Sequence, residues 1–180
     1  DVKIRGVESE VGHQNPSVYR SFVELASNEM DGIYSSLNPT SLPVGRFGMG
    51  FYQIFYWLSD GESSINLQTK KEGQSFGKEN ECISLDFRRI NEEIKYSRKV
   101  CSEIKSHGTR IVIRNKSIQA EKVFEALQQA FYYNEKINFV INRKLLPKWR
   151  EDKALPSVKI NLKDGYFEIQ GAGVGMDLQT

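Results

Sequence analysis

The sequence predicts an α+β fold, a two-layer sandwich in which helices cover one face of a mixed, mostly antiparallel sheet. Two observations favour this class: residues 15–37 and 121–133 have helical periodicity, and several other segments alternate apolar with polar residues. Such strands pair locally, and the helices bury their apolar stripes against one side of the sheet. We expect residues 1–180 to form a single domain, and whether it belongs to a longer protein is left open.

The first helix, residues 15–37, has one apolar stripe whose residues recur at spacings of three and four. The stripe consists of Phe22, Ala26, Met30, Ile33 and Leu37. Serine, proline and asparagine crowd residues 35–45, which predicts a loop. Residues 51–58 are apolar nearly all round, as in a short buried helix.

The alternating segments predict the strands. Three of them, at residues 64–69, 82–87 and 109–115, are expected to lie side by side in one sheet. After the helix at residues 121–133, three more strands are predicted at residues 137–143, 157–163 and 165–170. Asp164-Gly165 is a turn signal that joins the last two into a hairpin.

The composition excludes several classes of protein. With 39% hydrophobic residues, 27% charged residues and a net charge of +2, the chain is typical of a globular domain without a strong nucleic-acid signal. No apolar run approaches the roughly 20 residues of a membrane helix, so we expect no membrane partner. The two cysteines and two histidines lack zinc-ligand spacing. Two cysteines in a chain of this size favour a reducing compartment over a disulfide framework, and we expect a cytoplasmic protein.

Polar residues gather on one side of the first helix within the segment ELASNEMDG, residues 24–32. At about 100° per residue, Glu24, Asn28 and Asp31 fall within roughly 60° of one another and opposite the apolar stripe. A carboxylate can accept a proton from water, and an amide oxygen is a suitable ligand for Mg²⁺. A solvated helix face is the alternative interpretation.

Three glycines precede the predicted short helix in the segment GRFGMGF, residues 45–51. A glycine-rich turn that leads into a helix exposes backbone N–H groups at the positive end of the helix dipole, an arrangement that binds phosphates. Arg46 could add a positive charge there. A tight structural turn is the alternative.

Two further stretches combine glycine with a strand. In SHGTRIVI, Thr109 could present a hydroxyl group at the sheet edge, although Gly-Thr before a strand is usually a turn. In YFEIQGAGVGMD, a strand runs into a glycine-rich turn. A dinucleotide-binding Rossmann fingerprint does not fit this turn, because the third glycine, Gly175, comes one position early.

Together these four stretches resemble the GHKL superfamily of ATP-binding domains, named for gyrase B, the ninety-kilodalton heat-shock chaperone, histidine kinases and MutL. The resemblance is closest to the N-terminal domain of the chaperone. ELASNEMDG is similar to the family's Glu-x-x-x-Asn-x-x-Asp-Ala helix, VGRFGMGFY to its phosphate loop, SHGTRIVI to its Gly-Thr strand, and FEIQGAGVGMD to its Asp-x-Gly-x-Gly-Met turn. The similarity covers most of the chain and implies a Bergerat-type fold that binds ATP and Mg²⁺.

The resemblance implies a role for each matching residue. Glu24 would be the general base that polarises the attacking water, Asn28 would ligate Mg²⁺, and Asp31 would be the supporting carboxylate. The phosphates would be held at Gly45, Arg46, Phe47, Gly48, Met49, Gly50 and Phe51. The adenine side would be formed by Thr109, Gly171, Gly173, Gly175 and Met176.

The chain departs from the family pattern in two respects. The family has an aspartate that accepts a hydrogen bond from the adenine amine where this chain has Gly171. Losing that contact would weaken binding about tenfold to a hundredfold, unless water or a backbone carbonyl partly replaces it. The glycine turn also comes last in the chain instead of before the phosphate loop. We expect residues 158–176 to insert as a displaced strand pair at the same sheet position, and the lid over ATP to be reduced or relocated.

The resemblance therefore implies an ATP-binding, Mg²⁺-dependent domain that acts as a nucleotide-driven, chaperone-like conformational switch with slow ATPase activity. A partner domain, or a second copy in a homodimer, would supply a lid or a basic residue. The alternative is a non-catalytic GHKL-fold scaffold with weakened nucleotide binding. Gly171 favours the scaffold, whereas Glu24 and Asn28 favour the ATPase. A histidine-kinase output is not favoured, because the sequence has no helical hairpin that carries a phosphoacceptor histidine.

Overall fold

The computed structural model describes residues 16–37, 52–75, 78–173 and 175. Within these residues lie two α-helices, α1 (Pro16–Leu37) and α2 (Ala120–Phe131), and a 3₁₀ helix at Gln53–Trp57. The ten strands in the same part of the chain are β1 (Ser64–Lys70), β2 (Gln74–Ser75), β3 (Lys78–Glu79), β4 (Cys82–Ile90), β5 (Glu93–Cys101), β6 (Gly108–Arg114), β7 (Asn138–Ile141), β8 (Lys144–Leu145), β9 (Ser157–Lys163) and β10 (Tyr166–Gly171). None of the described helices combines the length and the apolar character that crossing a membrane requires.

Eight of these strands form one mixed sheet in the order β5-β4-β1-β6-β10-β9-β7-β8, and β2 pairs with β3 separately. Every neighbouring pair in the large sheet is antiparallel except β7 and β9, which run parallel. The predicted α+β class and the mostly antiparallel, mixed sheet are confirmed. The first three predicted strands are neighbours as expected, with β1 between β4 and β6.

One face of the large sheet is apolar in successive rows, because the side chains of directly paired residues point to the same side. Two such rows of buried residues cross four strands. They are Ile65, Ile113, Phe167 and Leu162, and next to them Leu67, Ile111, Ile169 and Ile160. The opposite face is polar: Nε of Arg110 donates to Oε2 of Glu168 at 2.6 Å, and Asn161 donates to the other carboxylate oxygen.

Helix α1 packs on the apolar face through aromatic side chains. The centroid of the Phe22 ring lies 4.6 Å from that of Phe167 and 5.1 Å from that of Trp57. The indole N–H of Trp57 donates to the hydroxyl oxygen of Ser21 at 2.9 Å, so this buried polar pair is satisfied. Helix α1 and the 3₁₀ helix therefore share one core with the sheet.

Most predicted elements are confirmed, with small shifts at their ends. The two predicted long helices correspond to α1 and α2, and the six predicted strands correspond to β1, β4, β6, β7, β9 and β10. The turn at residues 164–165 joins β9 and β10. The short helix predicted at residues 51–58 is a 3₁₀ helix at Gln53–Trp57.

Strand β5 was not predicted from the sequence. Its nine residues, EIKYSRKVC, are exposed or half-buried throughout, because β5 lies at the edge of the sheet. Its apolar residues Ile94, Tyr96 and Val100 alternate with polar ones, but Arg98 interrupts this alternation, which is the signal that identified the other strands.

A disulfide joins Cys82, the first residue of β4, to Cys101, the last residue of β5. The interpretation that the two cysteines do not serve a disulfide was wrong, because the β4–β5 hairpin brings residues 19 positions apart directly opposite each other. Disulfides persist mainly in oxidising environments, so this bond removes the argument for a reducing compartment. The cytoplasmic localisation stays a prediction.

We expect reduction of this disulfide to lower the free energy of unfolding by about 3 kcal/mol, the loop-closure value for a loop of this size. Urea unfolding of the wild-type protein with and without dithiothreitol measures the difference. A Cys82→Ala/Cys101→Ala variant should unfold close to the reduced wild-type protein, and reductant should not move its midpoint. An unchanged wild-type midpoint in reductant would contradict the prediction.

Candidate functional site

Next to the apolar rows, at the ends of three neighbouring strands, the large sheet has a row of paired residues that includes two polar ones. Thr69 of β1, Thr109 of β6 and Gly171 of β10 are paired in register across three neighbouring strands. Both threonines are at least 96% buried, and their hydroxyl oxygens lie 3.3 Å apart. Thr69 also lies 3.3 Å from the carbonyl oxygen of Gly108, to which it donates. This row places two buried hydroxyl groups on the face of the sheet that α1 covers.

The glycine turn after β10 lies directly against α1. A Cβ atom added to Gly173 would come within 2.9 Å of the carbonyl carbon of Gly32 and 3.1 Å of the backbone nitrogen of Ile33. These are backbone atoms of a helix and cannot move aside. The carbonyl oxygen of Gly173 accepts a hydrogen bond from Nδ1 of His107 at 2.6 Å. Helix α1 and the end of the sheet therefore meet at a position that only glycine can occupy.

Gly175 continues this turn across the end of β1. Its φ of +77° lies in the left-handed region, and an added Cβ would overlap the carbonyl oxygen of Lys70. The spacing of the glycines in the turn thus has a steric cause, independent of any ligand.

The three polar residues predicted on α1 are all half-buried. Phe22, Ala26 and Ile33 of the predicted apolar stripe are buried. Glu24, Asn28 and Asp31 therefore lie on the side of α1 opposite this stripe. Burial raises the pKa of the Asp31 carboxyl group, and the nearby charge of Lys136 partly opposes that shift.

The predicted phosphate loop lies outside the described residues, as does one residue of the predicted adenine side. These residues are Gly45, Arg46, Phe47, Gly48, Met49, Gly50, Phe51 and Met176. Among the other predicted site residues, the structure brings Thr109, Gly171 and Gly173 together with the part of α1 at residues 29–33.

Glu29 was missed by the sequence analysis. It is only 4% exposed and lies on the buried side of α1, with Leu25, Ala26 and Ile33 at spacings of four, three and four. A Cβ added to Gly171 would overlap Oε2 of Glu29 and lie 3.2 Å from its Cδ. The helical spacing would have identified Glu29 as buried, but its charge made Met30 the preferred member of the stripe, and Met30 is only half-buried.

A cavity of about 210 Å³ opens at the same end of the sheet. Lys159 and Gln170 line it, and both alternate with residues that face α1, so the cavity lies mainly on the far face of β9 and β10. Thr109 and Gly171 also line it, so the cavity reaches the strand ends beside the contact between Glu29 and Gly171.

The buried carboxyl group of Glu29 predicts a pH-dependent stability. Burial raises its pKa well above the usual value, because burial disfavours the charged form. Above the usual glutamate pKa of about 4.3, the unfolded chain releases this proton while the folded chain still holds it. This contribution therefore lowers stability as pH rises toward the raised folded pKa, by at most about 1.4 kcal/mol per pH unit.

Replacing Glu29 with glutamine should remove that contribution. We expect urea unfolding between pH 4 and pH 8 to show a flatter profile for Glu29→Gln, with a growing advantage over wild type as pH rises. Glu125→Gln on the exposed side of α2 is the matched control and should follow the wild-type profile. Parallel profiles for Glu29→Gln and wild type would rule out an effect of this carboxyl group.

The contact between Gly173 and α1 predicts a cost for any side chain at this position. We expect Gly173→Ala to lower the free energy of unfolding by about 1 to 3 kcal/mol, because helix backbone cannot make room for the methyl group. Gly61→Ala is the control, since an added Cβ at Gly61 meets no atom within 4 Å. Equal unfolding free energies for the two variants would contradict this account of the turn.

Comparison with known proteins adds no relative. No protein-family model, curated protein or solved structure matches this chain. The arrangement of residues around α1 and the glycine turn, together with the sequence motifs, therefore carries the functional argument.

Proposed function

We propose that this chain is an ATP-binding, Mg²⁺-dependent domain of the GHKL type and that nucleotide binding switches its conformation. The proposal includes the Bergerat arrangement, in which the helices form one layer and the sheet the other. Slow hydrolysis of ATP is part of the proposal, and a chaperone-like role is its least direct element because it rests on sequence similarity alone.

The convergence of three distant segments carries this proposal. The segment at residues 24–32 forms part of α1, the Gly-Thr pair begins β6, and the glycine turn ends β10. Thr109 pairs with Gly171, and Gly173 lies against the backbone of Gly32 and Ile33. Segments that resemble separate parts of one nucleotide site are thus neighbours, although more than 130 positions separate α1 from the turn in the chain.

The residues on α1 have the chemistry that Mg²⁺ and ATP require. An amide oxygen and carboxylate oxygens are hard ligands, and Asn28 would coordinate Mg²⁺ with Asp31 in support. Mg²⁺ bound with the nucleotide would neutralise charge on the phosphates. The glycine turn lets backbone approach a ligand closely on the adenine side.

Glu24 would act on water. Its carboxylate would orient a water molecule toward the terminal phosphorus and accept a proton as the new phosphorus–oxygen bond forms. The bond to the oxygen that bridges the last two phosphorus atoms breaks, and ADP and phosphate leave. A basic residue and a lid from a partner domain or a second copy of the chain would complete the site, so turnover by this chain alone is slow.

A non-catalytic scaffold is the second candidate, and one observation favours it. Gly171 has no side chain for a nucleobase, and the space beside it is occupied by the buried carboxyl group of Glu29. In this alternative the fold is retained and nucleotide is bound weakly or not at all.

Titration calorimetry and single-turnover hydrolysis separate the two candidates. We expect Mg-ATP to bind the wild-type chain, and Asn28→Ala to lose the part of the affinity that depends on Mg²⁺. Glu24→Ala should still bind ATP but hydrolyse it about a hundredfold to ten-thousandfold more slowly, the usual contribution of a general base.

Glu125→Ala is the matched control, because it removes a glutamate from an exposed helical position of α2. It should bind and hydrolyse ATP like the wild-type chain. Absence of ATP binding to the folded wild-type chain would favour the scaffold, and hydrolysis unaffected by Glu24→Ala would overturn the role of Glu24.

A further inference from the structure

An acidic side chain interrupts the apolar contact between α1 and the sheet. Glu29 is 4% exposed, and the residues above and below it on the same side of α1 are Leu25, Ala26 and Ile33. Burying a carboxyl group costs free energy unless hydrogen-bond donors satisfy it. A ligand that brings a donor to this point would offset that cost, so the position favours a donor-bearing ligand.

The carboxyl group is directed at one residue of the sheet. Its Oε2 atom occupies the space that a Cβ on Gly171 would need, and its Cδ lies 3.2 Å from that point. The absence of a side chain at residue 171 is therefore what admits the carboxyl group of residue 29. Gly171 and Glu29 form a complementary pair in which the acidic group comes from the helix instead of the strand.

The surroundings of this pair are polar on the sheet side. Gly171 is paired with Thr109, whose buried hydroxyl oxygen lies 3.3 Å from that of Thr69. A carboxyl oxygen and a threonine hydroxyl group thus belong to one end of the sheet, next to a turn in which glycines allow close approach. Such a set of groups suits a flat heterocycle that carries an amino group at its edge.

We propose that Glu29 recognises the adenine amino group and replaces the aspartate that the family resemblance leads one to expect at residue 171. This inference rests on the proposed ATP-binding function and specifies how the base is selected. The carboxyl oxygen accepts a hydrogen bond from the 6-amino group of adenine. Guanine presents an oxygen acceptor at the corresponding position, so it offers no donor there to the carboxyl oxygen that accepts from adenine.

The wild-type chain tests the first half of the inference without any substitution. Calorimetry with Mg-ATP is compared with the Mg²⁺ complex of purine riboside triphosphate, in which hydrogen replaces the amino group. We expect the analogue to bind about tenfold to a hundredfold more weakly, the usual effect of losing one buried hydrogen bond. Equal affinities would overturn the inference, because no protein group would then recognise the amino group.

Three variants test the role of Glu29. Glu29→Ala should weaken ATP binding and remove the difference between the two ligands. Gly171→Asp should bind neither ligand well, because its side chain would need the space that Glu29 occupies. The double variant Glu29→Ala/Gly171→Asp should restore the preference for ATP, because one carboxyl group again occupies that space. Thermal unfolding without ligand establishes that each variant is folded.

The outcomes separate this inference from the proposed function. If folded Glu29→Ala binds ATP with an undiminished preference over the analogue, Glu29 does not recognise the base, whereas the ATP-binding function stands. If neither the wild-type chain nor the double variant binds ATP, the proposed function fails and the inference fails with it. If the double variant regains the preference for ATP that each single variant lacks, the result supports both the proposed function and the inference.

Discussion

The close approach of α1 to the end of β10 is the constraint on which the rest of this region depends. A helix normally packs on a sheet through side chains, but at Gly173 the turn touches the helix backbone at Gly32 and Ile33. This contact fixes how far α1 lies from the sheet and how it is rotated about its axis. With that rotation, Phe22 packs on Phe167 and Glu29 reaches the space beside Gly171.

The same rotation divides α1 into two sides with different chemistry. The buried side is apolar except for Ser21 and Glu29, and the side that carries Glu24, Asn28 and Asp31 is only half-buried. Charged and amide groups on a half-buried face can exchange water for a ligand at moderate cost, whereas a fully buried carboxyl group cannot. In the proposed function, the half-buried side would hold phosphates and a cation, and the buried carboxyl group would accept from one hydrogen-bond donor of the ligand.

The sequence predicted the elements that bury one face and failed where no face is buried. Strands β1, β6 and β10 have alternating apolar residues. They are neighbours in the sheet in that order, and the pairing of β6 with β10 brings Thr109 opposite Gly171. In strand β5 the charged Arg98 interrupts the alternation, so neither the β4–β5 hairpin nor the disulfide between Cys82 and Cys101 was predicted. Glu29 was missed for the opposite reason: its helical position indicated burial, but a charged residue type was taken to indicate exposure. Both errors came from treating residue type as a measure of burial.

The unusual order of the motifs places no obstacle to their convergence. Strands β9 and β10 pair with each other through a tight turn, so the hairpin can dock as a unit wherever a neighbouring strand has an open edge. Strand β6 pairs with β1 on one side and offers its other edge to β10. The position of the β9–β10 hairpin in the sheet depends on this edge of β6 and on the apolar rows that match across it. The order of the strands in the chain matters only because the connecting segments must be long enough. The turn after β10 can therefore meet α1, although the two are far apart in the chain.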